Sequence, residues 1–107
     1  MAEETITVTS RMVAKPGAVD TLRKVVAEFL AMSRKEPGCI SDDWFQNSEN
    51  PQEAVFFERW RGWEGIQAHM ATQHFQAFMA KAPELLLPPV AGNEGVFEVL
   101  ICTPYAG

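Results

Sequence analysis

The 107-residue chain is 47% hydrophobic and 21% charged, and 9 Lys and Arg set against 14 Asp and Glu leave a formal net charge of −5. A length of this order supports one domain, spanning residues 1–107, and excludes a two-domain dinucleotide enzyme or a full α/β barrel. The acidic balance argues against nucleic acid or an anionic membrane as the main partner, and among the scattered basic residues only Arg23-Lys24 and Arg34-Lys35 are adjacent.

The N-terminus carries no basic n-region followed by an apolar h-region, and no apolar run approaches the ~20 residues of a membrane span. Cys39 and Cys102 form no CxxC pair. A cytoplasmic protein with reduced thiols is the expectation.

Thr5 to Val13 alternates Ile6, Val8 and Met12 with Thr7, Thr9 and Arg11, which is strand period, and Lys15-Pro16-Gly17 breaks it. From Ala18 onward Val19, Leu22, Val25, Val26, Phe29 and Leu30 form an apolar stripe at helical spacing. Arg34 and Lys35 suit the C-terminal dipole of that helix, and Pro37-Gly38 ends it. Cys39 to Asn47 reads as a second strand, Ser48 to Gln52 as a turn, and Ala54 to Arg61 as a third strand rich in Val and aromatics. A helical stretch from Trp63 to Ala82 follows, broken near Thr72, which is suited to cap a second segment carrying Phe75, Phe78 and Met79. Pro83, then Pro88-Pro89, are expected to end it. Asn93-Glu94-Gly95 turns into a last strand, Val96 to Cys102.

The order βαββαβ predicts an α+β, ferredoxin-like fold with a four-stranded antiparallel sheet. Right-handed crossovers place the strands in the order 4-1-3-2, with Cys39 and Cys102 on opposite edges and an intrachain disulfide disfavoured. The third strand carries Phe56, Glu58 and Trp60 on one face and Val55, Phe57, Arg59 and Arg61 on the other. Both helices cover one face, yet both faces hold aromatics. A homodimer pairing sheet to sheet is the economical expectation.

The run Glu36-Pro37-Gly38-Cys39, the strand segment Phe57-Glu58-Arg59-Trp60 and the stretch Ala68-His69-Met70-Ala71-Thr72-Gln73-His74-Phe75 followed by Phe78 resemble the antibiotic biosynthesis monooxygenase (ABM) domain, in its quinol-monooxygenase-like branch. The resemblance covers nearly the whole chain. It implies a dimeric α+β barrel with one cleft per subunit between helices and sheet. It also implies chemistry on phenols or quinols with O2 and no cofactor, although other members degrade haem or process small metabolites without oxygen. The haem-ligand pattern of the haem-degrading members does not carry over, since Met79 and His69 stand at the corresponding positions.

Within this frame Glu58 and Trp60 share the face toward the helices. A carboxylate there needs a partner or a raised pKa, and is either a structural group or a catalytic one. Trp60 suits a cleft wall that stacks a planar ring. His69 borders the helical apolar stripe and is the better candidate for a base or a substrate hydrogen-bond partner; His74 is the lesser one. Five residues of separation put the two histidines about 140° apart around one helix, so no metal site is expected. Asp42 and Asp43 point to opposite faces, and Asp42 places a polar group where ring contacts would be expected.

The leading expectation is a cofactor-independent monooxygenase acting on a small aromatic hydroxy compound or quinol, with His69 and Glu58 as catalytic groups. Trp60, His74, Phe75, Trp44 and Phe78 would contact the substrate. A non-oxidative isomerase or lyase on a small carbonyl metabolite would use the same His and Glu. A ligand-binding dimer without catalysis is the third possibility.

Overall fold

The computed structural model describes residues 4–88 and 98–103. Its elements are β1 (Thr5–Val13), α1 (Val19–Ser33), β2 (Cys39–Asn47), β3 (Asn50–Arg61), α2 (Gly62–Met70), α3 (Gln73–Leu85) and β4 (Glu98–Cys102). The four strands form one antiparallel sheet in the order β2-β3-β1-β4. This is the predicted ferredoxin-like arrangement, and the two cysteines stand free on opposite edges. Both thiols are half-buried rather than fully enclosed.

Strand alternation divides the sheet cleanly. Ile6, Val8, Ser10 and Met12 of β1 and Ala54, Phe56, Glu58 and Trp60 of β3 are buried beneath the helices. They pack against Leu22, Val26, Phe29 and Leu30 of α1, Ile66 of α2, and Phe78, Ala82 and Leu85 of α3. On the opposite face Phe45, Val55, Phe57 and Leu100 are exposed. No described helix is long and apolar enough to cross a membrane.

The structure departs from expectation in three places. β3 begins at Asn50, four residues early, because the turn is tightened by side chains: Asn47 Oδ1 accepts from the Glu49 amide and Asn50 Oδ1 from the Gln52 amide. Pro51 is tolerated there because neither neighbouring strand pairs with it. Pro83 does not end α3, which continues to Leu85; in the last turn a proline removes a single helical hydrogen bond, to the Met79 carbonyl. Tertiary bonds hold that turn, with Lys15 donating from Nζ to Pro83 O (3.0 Å) and from its amide to Leu85 O (2.8 Å). Arg34 does not serve the helix dipole alone: its Nε donates to the Asp42 carbonyl at 2.9 Å and its Nη2 to Asp43 Oδ1 at 3.0 Å. The last strand is described only from Glu98, so the expected start at Val96, Phe97 and the turn Asn93-Glu94-Gly95 lie outside the described residues.

Two local devices set the geometry between the elements. The break between α2 and α3 is built on Thr72, whose hydroxyl donates to the His69 carbonyl (2.7 Å) and accepts from the Phe75 amide (3.2 Å). The Pro37-Gly38 turn is pressed against α2. A Cβ on Gly38 would lie 2.7 Å from the Gly65 Cα, and a Cβ on Gly65 would lie 3.3 Å from the Gly38 carbonyl oxygen. The same turn is tied to the end of β3, where Arg61 donates its amide to Gly38 O (2.8 Å) and its guanidinium to Pro37 O. Gly38→Ala therefore drives a methyl into backbone that cannot swing aside. It is expected to cost about 1–3 kcal/mol, read as a lower urea midpoint with unchanged m-value, and Gly65→Ala to cost less.

Candidate active site

Between the helices and the sheet lies a cavity of about 170 Å³ walled by Phe29, Phe56, Trp60, Ile66, Phe75 and Phe78, with Glu58 and His69 among its polar groups. The aromatic walls are mutually packed: Phe29 stacks on Phe78 with centroids 4.5 Å apart, and both meet Phe56 edge-on at 5.8 Å. On the β4 side, Val99 and Ile101 line the cavity and remain exposed.

Trp60, 1% exposed, contacts both titratable groups of the cavity, Glu58 and His69. Its Nε1 donates to Glu58 Oε1 at 2.9 Å, and its ring lies against that of His69 with centroids 4.2 Å apart. His69 Nε2 stands 3.9 Å from Glu58 Oε1. On the other side of the ring, Nδ1 is 2.7 Å from Glu36 Oε2, and the same oxygen lies 2.7 Å from His74 Nε2. Burial pushes the Glu58 carboxyl up to about 7; the Trp60 hydrogen bond opposes the rise and the Glu36 charge adds to it. Burial pushes the His69 imidazole below its ordinary value, while the hydrogen bond to Glu36 works the other way. An imidazole that stays neutral and a carboxyl that holds its proton near neutral pH, side by side at an aromatic cavity, are a workable acid–base pair.

The expected candidates divide. His69, Glu58, Trp60, Phe75 and Phe78 converge on this cavity. Trp44 does not line it; its ring packs on Phe56 at 6.4 Å, because Trp44 lies on β2, the edge strand farthest from β4, and the sheet lines the cavity from β3, β1 and β4. His74 does not line it either. It faces a shallow groove between α1 and α3 and reaches the cavity only through Glu36 and His69. Five residues of separation do not keep the histidines apart, because they lie on two helices rather than one. The break at Thr72 brings His69 Nδ1, His74 Nε2 and a Glu36 oxygen within 4.8 Å of one another. The spacings of 2.7 Å are hydrogen-bond lengths.

Glu36 was absent from the sequence candidates. Its signal was its place beside Pro37-Gly38, a turn whose position against α2 brings any long side chain there to the histidines. Asp42 is a second surprise. It pairs across the ladder with Glu58, is 1% exposed, and neither carboxyl oxygen has a hydrogen-bond partner among the described residues. Asp43 points outward, as alternation requires. Burial, then the Glu58 charge, push Asp42 up to about 8 against the pull of Arg34.

A carboxyl whose folded pKa lies above its unfolded value keeps its full contribution below the unfolded pKa and loses it as pH rises through the folded one. Asp42 and Glu58 shift in the same direction, so stability is expected to decline between about pH 4 and pH 8. Asp42→Asn mimics the protonated form at every pH. In urea titrations it should match the parent near pH 3, below the unfolded carboxyl pKa, and exceed it increasingly from about pH 4 to pH 8, by on the order of 1–3 kcal/mol or more at the upper end.

Comparison with known proteins agrees with this architecture. A structure from Pseudomonas aeruginosa, PA3566, superposes with a TM-score of 0.84 at 24% identity, covering 99% of each chain, and bears on the fold alone. Rv0793 of Mycobacterium tuberculosis superposes with a TM-score of 0.83 at 26% identity over 96% of this chain and 97% of its own. By sequence the same protein, named "Putative monooxygenase Rv0793", is 31% identical over 86 residues, 80% of this chain and 84% of its own length. A Synechocystis protein, "Uncharacterized protein sll1783", is 32% identical over 88 residues; the match takes in 82% of this chain but 60% of that longer protein. The family model for antibiotic biosynthesis monooxygenase matches residues 5–81, from β1 through most of α3. On that match and on the fold it shares with these relatives, the chain belongs to the antibiotic biosynthesis monooxygenase family.

Proposed function

We propose that this protein is a cofactor-independent monooxygenase of the quinol-oxidising type, acting as a homodimer on a small aromatic hydroxy compound and O2. The observation that carries the reading is the placement of His69 and Glu58, 3.9 Å apart, on one aromatic-walled cavity. His69 Nε2 takes the proton of the substrate hydroxyl, and the resulting electron-rich anion passes one electron to O2. Recombination of the two radicals forms a carbon–oxygen bond. Cleavage of the peroxide O–O bond leaves one oxygen on the ring and releases the other as water. The substrate supplies every electron, since a quinol plus O2 balances a hydroxyquinone plus water. Protonated Glu58 serves as donor to the developing oxyanion, and the aromatic walls exclude solvent.

Oxygen uptake with reduced quinols and anthrone-type phenols tests the reading in the protein alone. Stoichiometric O2 consumption is the expected result. Turnover of a carbonyl substrate under argon, or no uptake without added flavin or haem, would overturn it.

The outer sheet face supports the dimer. Phe45 and Leu100 are 56% and 62% exposed, with Val55 and Phe57 between them in the sheet. An outer face with these apolar side chains on both sides of Thr9 of β1 suits a second copy of itself. Sedimentation velocity is expected to show a dimer, and Leu100→Glu a monomer with the same circular dichroism.

A further inference from the structure

We propose that Glu36 is a positioning residue that fixes His69 as the Nδ1–H tautomer, so that the Nε2 lone pair faces Glu58 and the cavity. As regards catalysis this rests on the proposed function; as regards the tautomer it stands alone.

The Glu36 side chain is 11% exposed and its Oε2 meets two ring nitrogens, His69 Nδ1 and His74 Nε2, each at 2.7 Å. An ionised carboxylate can only accept, so each nitrogen facing it must carry a proton. The His69 ring, buried among Phe29, Trp60 and Phe75, is held neutral, and a neutral imidazole protonated at Nδ1 is bare at Nε2. That nitrogen looks across 3.9 Å at Glu58 Oε1, which already accepts the Trp60 indole N–H. The gap is too long for a direct hydrogen bond and leaves Nε2 free to accept from a hydroxyl placed in the cavity.

Local features on either side of the helix break build this arrangement. The Gly38–Gly65 contact locks the turn carrying Glu36 onto α2 one helical turn before His69, on the same face. The Thr72 hydroxyl grips the His69 carbonyl. The helix break then starts α3 so that His74 meets the same carboxylate oxygen and supplies its second donor. The titratable groups facing His69 are thus Glu36 from the α1–β2 turn, His74 from α3 and Glu58 from β3, with Asp42 of β2 beyond Glu58. A partner that sets the tautomer of a working imidazole acts through orientation, and its removal typically costs about 10–100-fold.

Long-range proton–nitrogen correlation on protein labelled with 15N-histidine reads the tautomers directly, without substrate. At pH 7 the full-length protein is expected to show His69 protonated at Nδ1 with an unprotonated Nε2, and His74 protonated at Nε2. In Glu36→Gln, His69 should shift toward a mixed tautomer and titrate at lower pH, since the Glu36 charge supports the protonated ring. On whichever quinol is turned over, kcat should fall about 10–100-fold with KM changed less than about twofold. His69 found protonated at Nε2 in the parent protein would overturn the proposal, even if the variant does not fold. So would a tautomer unchanged in Glu36→Gln, or stoichiometric Zn²⁺ binding that perturbs both histidines and is lost in that variant. If the tautomers are as expected but no quinol is oxidised, the proposed function fails and the positioning role stands.

Discussion

His69→Ala is expected to reduce quinol oxidation by about 10²–10⁴-fold, because it removes the group that accepts the substrate proton. The parent's pH profile carries a matching signature. Burial holds the His69 pKa below its ordinary value, so the acid-side loss of rate should begin below pH 6.5. Glu58, raised to about 7, should give up its donor proton and impose a second decline on the alkaline side. A narrow bell in kcat/KM for the parent is the expected outcome. A rate that His69→Ala leaves within threefold would remove the imidazole from the chemistry.

Trp60→Ala carries the largest expected effect on stability. The indole is 1% exposed, fills the junction of Ile6, Val8 and Ile66, and provides the hydrogen bond to buried Glu58. Emptying that volume next to an existing cavity costs about 3–5 kcal/mol. Against the ~5–15 kcal/mol typical of a whole domain, the variant should stand close to unfolding, with a thermal midpoint lowered by well over 10 °C. Trp60→Phe separates packing from polarity. It should retain most of the stability while Glu58 titrates at still higher pH, for want of the indole donor.

How far these features could be read from the chain depended on the range of the interactions behind them. The strands β1 and β2 and the helix α1 between them were legible because alternation and helical spacing are local, and Pro16-Gly17 and Pro37-Gly38 mark the boundaries between them. Pro83 misled because its cost is met by Lys15 and the end of β1, about 70 residues away in sequence. The cavity face followed from parity: Glu58 and Trp60 had to share a side with Phe56. Parity cannot say how far across the sheet a cavity extends, and so Trp44, on the β2 edge, lies outside it while Phe75 and Phe78 line it. Glu36 and the meeting of His69 with His74 were out of reach for a different reason. They depend on a glycine-to-glycine backbone contact and on the angle of a helix break, neither of which leaves a periodic trace in the sequence.

The interruption at Ala71–Thr72 has a further consequence for how such a protein can change what it accepts. The acid–base pair hangs from β3 and α2, whereas Phe75, Phe78 and Met79, which close the cavity, belong to α3. His74 pins the first turn of α3 to Glu36, so exchanges farther along that helix reshape the wall around a fixed point. Part of the cavity wall is thereby carried by a different helix from His69, and that part can drift while the His69–Glu58 pair is preserved.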